Sequence, residues 1–372
     1  MISVVICGDS PAIQQQCVAQ TMLEMEGVPI TVGLLETDEP IYDVQASENR
    51  SGVLIKVRAF SCNYRDKALI LQTSLRCQGR PTYAFIGSEF VGEVMAVGPA
   101  VTTLQVGDRV MGDNSYPGSV QPGIPTQHSS RRYLLLPEAK VIKVPPVMPD
   151  EVAAAFSLNA QTAYGMLRRL EIRAGANVLV TSARSNTSLF VLNALKQVPC
   201  KVYATTTARH FEGDVAQLGI KKVIHLDPTL PGFLAHEPMA ELLSAIDGFE
   251  YVIDPFFDLH LDKALEVMTT GGKYITCGFY DQYSHITGKN SQYAGKDLRE
   301  IFGLAIIHNI QLIGNCLGHT DDLRRAVADY TQCKYPAVID SVYRGEQVDT
   351  FFERTYTAGD RFGKVVYCYD DD

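Results

Sequence analysis

The segment 178–189 has the residue types and spacing most suggestive of ligand binding. An apolar, strand-like run leads into it and an apolar, helix-like run follows it, which is where a dinucleotide pyrophosphate meets a helix N-terminus. Glycines usually form this turn because backbone N–H groups must approach the phosphates closely. Serines replace them here, and serine is small, carries a hydroxyl and caps helices well. The pattern predicts a dinucleotide site, or alternatively one closed by crowding, built from Ser182, Arg184, Ser185, Asn186, Thr187 and Ser188.

The end of the next strand-like run indicates which dinucleotide would bind. An acidic residue about 20 residues after the turn holds the ribose diol of NAD, whereas hydroxyls and a basic residue suit the 2′-phosphate of NADP. The stretch 203–210 contains no carboxylate, and the first acid after it is Glu212. We therefore predict NADPH rather than NADH, with a solvated loop as the alternative, and contacts from Thr205, Thr206, Thr207 and Arg209.

The surrounding elements change character near residue 150. Short β-like runs at 53–60, 90–97, 108–111, 133–136 and 141–144 come first, separated by turn residues, as in an antiparallel barrel. Apolar runs at 177–181, 201–206, 223–226, 251–254, 273–277 and 311–315 then alternate with helical stretches at 189–197, 239–245, 261–268 and 297–309. Six parallel strands with crossover helices predict an α/β fold with a doubly wound dinucleotide-binding domain. We assign 1–155 and 316–372 to the barrel-like domain and 156–315 to the cofactor domain.

Three segments fall outside this plan. Residues 1–49 contain an apolar strand and a helix-like stretch at 12–26, and they would cover the active site or add an interface. Residues 114–132 are rich in proline and glycine, which is typical of a long ordered loop or a mobile lid. A strand-like run at 364–369 is expected to pair back onto the first domain.

Composition excludes several classes of protein. The chain has 372 residues, 46% hydrophobic and 20% charged, which is ordinary for a globular protein of about two domains. Its 33 basic against 42 acidic residues give a net charge of −9, which argues against a surface that coats nucleic acid. It contains no apolar run long enough for a membrane helix. Nine scattered cysteines without a CxxC pair predict a reducing cytoplasm.

Several short motifs give the chain a family resemblance over residues 50–372. It resembles the medium-chain dehydrogenase/reductase superfamily, in particular its zinc-free quinone oxidoreductase and enoyl reductase branch. The resemblance implies a GroES-like β-barrel catalytic domain beside the Rossmann domain. The motifs that carry it are Val53-Leu54-Ile55-Lys56-Val57, Cys62-Asn63-Tyr64-Arg65-Asp66, Gly87-Ser88-Glu89-Phe90-Val91-Gly92-Glu93-Val94, Val97-Gly98, Val106-Gly107-Asp108-Arg109-Val110, Gln161-Thr162-Ala163-Tyr164-Gly165, Gly271-Gly272-Lys273-Tyr274 and Gly363-Lys364-Val365-Val366.

The resemblance also implies that no metal takes part. Zinc-dependent relatives use a cysteine, a histidine and a second cysteine or acid, and those positions correspond to Asn63, Ser88 and about Leu158. Asparagine, serine and leucine do not form a zinc site of this kind. The four closely spaced cysteines of a structural zinc lobe are also missing from 111–136. We predict metal-free hydride transfer.

The matched positions imply roles for further residues. Asn63 would donate to a carbonyl or to the nicotinamide carboxamide, and Tyr64 would protonate the substrate or stabilise an oxyanion, unless it is a half-buried aromatic. Asp66 is expected to be a helix cap or a structural acceptor rather than a base. The resemblance places the following near the cofactor, with core packing as the alternative for the aromatic residues: Thr162, Asp254, Pro255, Phe256, Gly278, Phe279 and Lys364.

Together these observations favour an NADPH-dependent, zinc-independent reductase of a carbonyl-conjugated double bond. Enones, quinones, enoyl thioesters and dehydroamino-acid units, free or carried on a carrier or peptide, are the candidate substrates. Two alternatives stay open: a non-catalytic or cofactor-sensing protein on the same fold, and a metal-free carbonyl or alcohol oxidoreductase. The resemblance further predicts a homodimer in which the strand from Gln311 to Asn315 pairs edge to edge.

Overall fold

The computed structural model describes residues 1–115, 128–208, 218–288, 295–333 and 338–370. The strands are β1 (Ile2–Cys7), β2 (Cys17–Met25), β3 (Val28–Glu36), β4 (Gly52–Ser61), β5 (Tyr83–Ala84), β6 (Glu89–Val97), β7 (Arg109–Gly112), β8 (Tyr133–Pro137), β9 (Val141–Lys143), β10 (Asn177–Val180), β11 (Lys201–Thr206), β12 (Lys222–His225), β13 (Phe249–Asp254), β14 (Met268–Thr276), β15 (Gln311–Gly314), β16 (Ile339–Arg344) and β17 (Lys364–Cys368). The helices within these ranges are α1 (Pro11–Gln14), α2 (Tyr64–Cys77), α3 (Asp150–Ala153), α4 (Ser157–Leu170), α5 (Asn186–Leu195), α6 (Glu237–Ala245), α7 (Phe257–Leu265), α8 (Ser284–Thr287), α9 (Leu298–Ile307), α10 (Thr320–Thr331) and α11 (Val348–Tyr356).

The chain forms two compact units. The first comprises Met1–Leu158 with the described parts of 282–290 and 337–372, and the second comprises the described parts of Asn159–Asp281 and 291–336. The sequence assigns 316–336 to the barrel domain, whereas α10 lies in the second unit. Its Asp322 pairs with Arg168 of α4, with 2.9 Å between Nε and Oδ1. No helix in the described ranges is long and apolar enough to cross a membrane.

The first unit is built on a seven-stranded sheet in the order β16-β17-β4-β6-β7-β9, with β8 paired to β4. All five predicted strands of this region are present, and each end lies within one residue of its predicted position. The C-terminal strand β17 pairs with β4 in antiparallel fashion, so that Tyr367 lies opposite Phe60. The expectation that the chain end returns to the first domain is confirmed.

The N-terminal segment forms a second sheet in this unit, in the order β2-β3-β1-β5. The helix predicted over 12–26 is wrong: only α1 is helical, and β2 takes up most of the rest. Glu26 and Gly27 both have positive φ, 55° and 80°, the geometry of the two-residue turn that suits a β-hairpin. Apolar residues of β1 and β3, among them Val4 and Ile30, join the same buried core as Ile55 of β4.

The second unit contains six parallel strands in the order β12-β11-β10-β13-β14-β15. This is the doubly wound strand order, so the predicted fold class is confirmed. Predicted and observed bounds agree for β11, and α7 begins earlier than predicted, at Phe257. In such a sheet the ligand-binding loops follow the carboxyl ends of the strands, here Val180, Thr206, Asp254 and Thr276.

Candidate active site

A buried polar network surrounds Asn63 in the first unit. Asn63 is the N-cap residue of α2, Glu89 begins β6 and Lys364 begins β17. The Lys364 ammonium donates to Glu89 Oε2 at 2.6 Å, to Asn63 Oδ1 at 2.9 Å and to the Cys62 carbonyl at 3.3 Å. Glu89 is 0% exposed and Lys364 is 1% exposed, so the two charges compensate each other away from water.

These contacts correct two sequence-based roles. Lysine has three ammonium hydrogens, and all three donate to the partners just named. The Asn63 side-chain amide donates to Ser88 Oγ and to Glu89 Oε2, each at 2.9 Å, so both of its hydrogens are also taken. Neither Asn63 nor Lys364 is therefore placed to donate to a substrate carbonyl or to a cofactor. Both residues instead tie β4, β6 and β17 together around the start of α2.

The network occupies the three positions that correspond to zinc ligands in the resembling enzymes. Ser88 Oγ donates to Asp66 Oδ2 at 2.6 Å, and the Leu158 backbone N–H donates to Glu89 Oε1 at 2.7 Å. Asn63 and the Leu158 N–H thus donate to the buried Glu89 carboxylate, and Ser88 donates to the buried Asp66 carboxylate. Because an amide, a hydroxyl and an alkyl group are not the thiolate and imidazole donors that zinc selects, these residues do not fit that metal. The described residues contain no cluster of three or more metal-ligating side chains.

Asp66 acts as the expected helix cap. Its Oδ2 accepts from the Asn63 backbone N–H at 2.7 Å, closing the first turn of α2. Burial raises the pKa of Asp66, against the lowering effect of Arg65, the Asn63 N–H and Ser88. The carboxyl group is therefore a structural acceptor beneath the site.

Tyr64, the residue after Asn63, is half-buried and packs against the core of the first unit. Its hydroxyl donates to the Tyr283 hydroxyl at 3.4 Å. Lys67, one turn further along α2, also donates to the Tyr283 hydroxyl, at 3.5 Å, and forms an ion pair with Glu26. None of Tyr283, Lys67 and Glu26 belongs to the motifs on which the sequence analysis depends. The Tyr64 hydroxyl is therefore connected through Tyr283 to the ion pair between Lys67 and Glu26.

Two serine hydroxyls of the turn in the second unit form hydrogen bonds within the protein. Ser185 caps α5, because its Oγ accepts from the Ser188 N–H at 3.1 Å. Ser188 is buried and donates to the Thr181 carbonyl at 2.8 Å. Ser188 therefore does not offer its hydroxyl to a phosphate, contrary to the prediction. Ser182 has a φ of 47°, the left-handed conformation that a glycine would adopt freely.

The remaining groups of this turn fit a dinucleotide. Ser185 satisfies only one of the N–H groups that open α5, which leaves those of Asn186 and Thr187 as first-turn donors for an anion. Ser182, Arg184, Asn186 and Thr187 are all partly exposed. Two buried acceptors, Thr205 Oγ1 and Asn186 Oδ1, have no hydrogen-bond partner within the described residues. Such groups are expected where a polar ligand completes the site.

The predicted cofactor-selecting residues are only partly described. Thr205 and Thr206 end β11 and are buried, and Thr206 Oγ1 accepts from the Ala208 N–H at 3.1 Å. Thr207 is exposed. Arg209 lies outside the described residues, as do 116–127 of the predicted loop or lid. Thr162, near the start of α4, is buried one turn after Asn159, whose side chain accepts from Thr187 at 3.3 Å.

Asp254 holds the carboxyl end of β13 in place. Its Oδ1 accepts from Thr181 at 2.6 Å and lies 2.9 Å from His260 Nδ1, and its Oδ2 accepts from Tyr274 at 2.5 Å. Burial acts to raise the pKa of Asp254, but the nearby His260, Thr181 and Tyr274 outweigh it and lower the pKa. Because both oxygens are engaged, Asp254 positions the strand end and does not offer a free carboxylate to a cofactor, which corrects the prediction.

The loops after β13 and β14 meet, as the predicted grouping of Pro255, Phe256, Gly278 and Phe279 requires. The Phe257 N–H donates to the Gly278 carbonyl at 3.2 Å. A Cβ at Gly278 would lie 3.0 Å from the Pro255 carbonyl oxygen, so this approach favours glycine. Phe256 is half-buried against Tyr280, with 5.8 Å between ring centroids, whereas Phe279 is 44% exposed. Phe256 therefore lines the edge of the sheet at the carboxyl end of β13, and Phe279 faces solvent in this unit.

Comparisons with known proteins agree with this architecture. Residues 49–146 match the alcohol dehydrogenase GroES-like domain family. The chain is 26% identical over 312 residues to erythronolide synthase EryA2 from Saccharopolyspora erythraea, covering 83% of this chain but only 8% of that much longer protein. It is also 26% identical over 334 residues to acryloyl-coenzyme A reductase from Metallosphaera sedula, covering 84% of this chain and 91% of that protein.

Solved structures share the fold over the whole chain. The crystal structure of an NAD-dependent alcohol dehydrogenase superposes with a TM-score of 0.74 at 20% identity and covers 99% of both chains. The strand order of the second unit, the GroES-like match in the first and the full-length relatives point to one assignment. The chain belongs to the medium-chain dehydrogenase/reductase superfamily.

Proposed function

We propose that this chain is an NADPH-dependent, zinc-independent reductase of carbon–carbon double bonds conjugated to a carbonyl group. The observation that carries the proposal is the adjacency of Asn63 and Tyr64. Asn63 belongs to a hydrogen-bonded network at the positions where resembling enzymes bind zinc, and Tyr64 presents a phenolic hydroxyl beside it. The similarity to acryloyl-coenzyme A reductase supports an activated alkene as substrate.

The second unit supplies the cofactor site in this proposal. The first turn of α5 and the partly exposed Arg184 would hold the pyrophosphate, and Thr205 with Arg209 would face the 2′-phosphate. When bound, the nicotinamide supplies a hydride to the β-carbon of the substrate. The protein's own part is to stabilise the negative charge that develops on the carbonyl oxygen and to deliver a proton to the α-carbon. We assign proton delivery to Tyr64.

The proposal is tested by following NADPH oxidation with acryloyl-CoA, cyclohexenone and benzoquinone as acceptors. We expect turnover with at least one of them, and a Tyr64→Phe variant with kcat lower by about a hundredfold. Tyr133→Phe is the matched control, since its hydroxyl donates to Glu39 Oε1 at 3.4 Å in an exposed hydrogen bond. NADPH binding without turnover of any acceptor would favour the cofactor-sensing alternative.

Cofactor choice and zinc independence are tested on the same preparation. NADPH should bind at least about tenfold more tightly than NADH, because a charge-assisted contact to the 2′-phosphate contributes on the order of 1.5–3 kcal/mol. Arg209→Ala should remove most of that preference. Elemental analysis should find no stoichiometric zinc after expression in zinc-supplemented medium. Equal affinity for the two cofactors, or about one zinc per chain, would contradict the respective assignment.

A further inference from the structure

Lys67 is a buried lysine with no place in the network around Asn63. It is 5% exposed, and its ammonium forms an ion pair with Glu26. The same ammonium lies 3.5 Å from the Tyr283 hydroxyl and 4.5 Å from the centroid of the Tyr283 ring. Burying an ammonium is costly unless it is paired, and here Glu26 and the Tyr283 hydroxyl are its partners.

The local sequence explains how these groups come together. Tyr64 and Lys67 are three residues apart on α2 and therefore share a face of that helix. Tyr283 precedes α8 and is buried in the core of the first unit, where its ring lies 6.5 Å from that of Tyr64. Glu26 is held by the hairpin turn between β2 and β3, and its side chain is 26% exposed. One end of the series is thus half-buried and the other reaches solvent.

We propose that Glu26, Lys67 and Tyr283 are positioning residues that form a proton relay to Tyr64. The hydrogen bonds run from Tyr64 through Tyr283 to Lys67 and on to Glu26 at the surface. This inference rests on the proposed function, because it assigns Tyr64 the proton that completes the reduction. It gives the N-terminal hairpin a part in catalysis through Glu26.

The relay balances the proposed reaction. Addition of hydride leaves two electrons delocalised over the α-carbon and the carbonyl oxygen as an enolate. The α-carbon forms a C–H bond with the phenolic proton of Tyr64, whose O–H bond breaks and leaves a phenolate. The Tyr283 proton then moves to Tyr64, and an ammonium proton of Lys67 moves to Tyr283. A proton from bulk solvent then binds the partly exposed Glu26 carboxylate and passes to the neutral Lys67 amine, so the relay ends in its initial state and the reaction consumes one solvent proton.

The Lys67 ammonium also stabilises the phenolate intermediate of the relay. The positive charge of Lys67 lies beside Tyr283 and stabilises a phenolate on either tyrosine, an effect that a buried alkyl group would not supply. Replacing lysine with methionine preserves most of the stem packing and removes the charge and the proton. Tyr283→Phe deletes a single oxygen and so tests the same path with minimal disturbance of the core.

The test compares Lys67→Met, Tyr283→Phe and Glu26→Gln with the wild-type chain, using Lys143→Met as the matched control. Lys143 pairs with Asp108 on the surface, and its side chain is 53% exposed. We expect Lys67→Met and Tyr283→Phe to lower kcat about tenfold with KM changed by less than about twofold, and Glu26→Gln to lower it less. Circular dichroism checks that each variant is folded.

A double variant separates the relay from a structural effect. In a Tyr64→Phe background, Lys67→Met should change kcat by less than about twofold, because the relay acts through the missing hydroxyl. A second readout needs no turnover: with ¹³Cζ-labelled tyrosine, the Tyr64 resonance, identified by its loss in Tyr64→Phe, should shift in both Lys67→Met and Tyr283→Phe.

The outcomes distinguish the relay from the proposed function. A wild-type chain that oxidises NADPH with none of the acceptors overturns the proposed function, and the relay with it. An active wild-type chain whose Lys67→Met and Tyr283→Phe variants keep kcat within about twofold overturns the relay alone. Equal losses in the wild-type and Tyr64→Phe backgrounds also overturn it, since they would mark Lys67 as a packing residue.

Discussion

Removing the ammonium of the buried pair should destabilise the first unit strongly. Lys364→Met removes the ammonium beside the Glu89 carboxylate, which keeps neutral donors such as Asn63 and the Leu158 N–H, and it deprives Asn63 Oδ1 and the Cys62 carbonyl of the Lys364 donor. Breaking a fully buried ion pair by removing one partner costs about 3–5 kcal/mol. The thermal midpoint of the first unit should therefore fall by roughly 6–20 °C, at about 2–4 °C per kcal/mol.

The chain contains no tryptophan, so far-UV circular dichroism in urea is the appropriate assay. Hydrogen exchange of peptides from the first unit assigns the transition that moves. The double variant Glu89→Gln with Lys364→Met should lose less than the sum of the two single variants, by at least about 2 kcal/mol, because it removes both charges. Lys143→Met, at an exposed pair, should cost under about 1 kcal/mol. A loss below about 1 kcal/mol for Lys364→Met would refute the reasoning.

Ser182→Gly should raise the free energy of unfolding of the second unit, measured in urea, by about 0.5–1 kcal/mol, because glycine adopts the left-handed conformation without strain. A large gain in NADPH affinity in the same variant would show instead that the serine closes the cofactor site. The lowered pKa of Asp254 stabilises the fold above the carboxyl's unfolded pKa, and this contribution is lost as pH falls through the lower folded value. Asp254→Asn should thus lose less unfolding free energy than the wild type between about pH 5 and pH 3, and equal losses would contradict it. We expect light scattering to show a dimer through β15, because Ile306 and Ile307, just before that strand, are 73% and 72% exposed. A monomer at micromolar concentration would contradict this expectation, as would a dimer that persists when both isoleucines are replaced with lysine.

The sequence predicts the regular elements well where local pattern and tertiary packing agree. Buried parallel strands such as β11 are short apolar runs between helical periods, so their positions are evident without a structure. The helix over 12–26 fails because its residues also alternate along a strand. The decisive feature is the Glu26–Gly27 turn, whose positive φ values pair β2 with β3.

The candidate site is predictable only where a motif is contiguous. Asn63 and Tyr64 stand in one motif, and both belong to the site region. Their bonding is not local, because Lys364 contacts Asn63 across about 300 residues of chain. Glu26 and Lys67 lie in unrelated segments and carry no periodic or motif signal. Their ion pair arises only when the hairpin packs beside α2.

The return of β17 to β4 has a consequence for synthesis on the ribosome. Tyr367 pairs with Phe60, and the Arg132 guanidinium donates to the Asp370 carbonyl at 3.0 Å. The strands of the first unit therefore leave the ribosome early, and their partner strand β17 is synthesised more than 200 residues later. The second unit, whose described parts are mostly continuous in the chain, is free to fold in the meantime. Nascent chains stalled before residue 364 should thus expose the apolar strands of the barrel and depend on chaperones until the last strand is added.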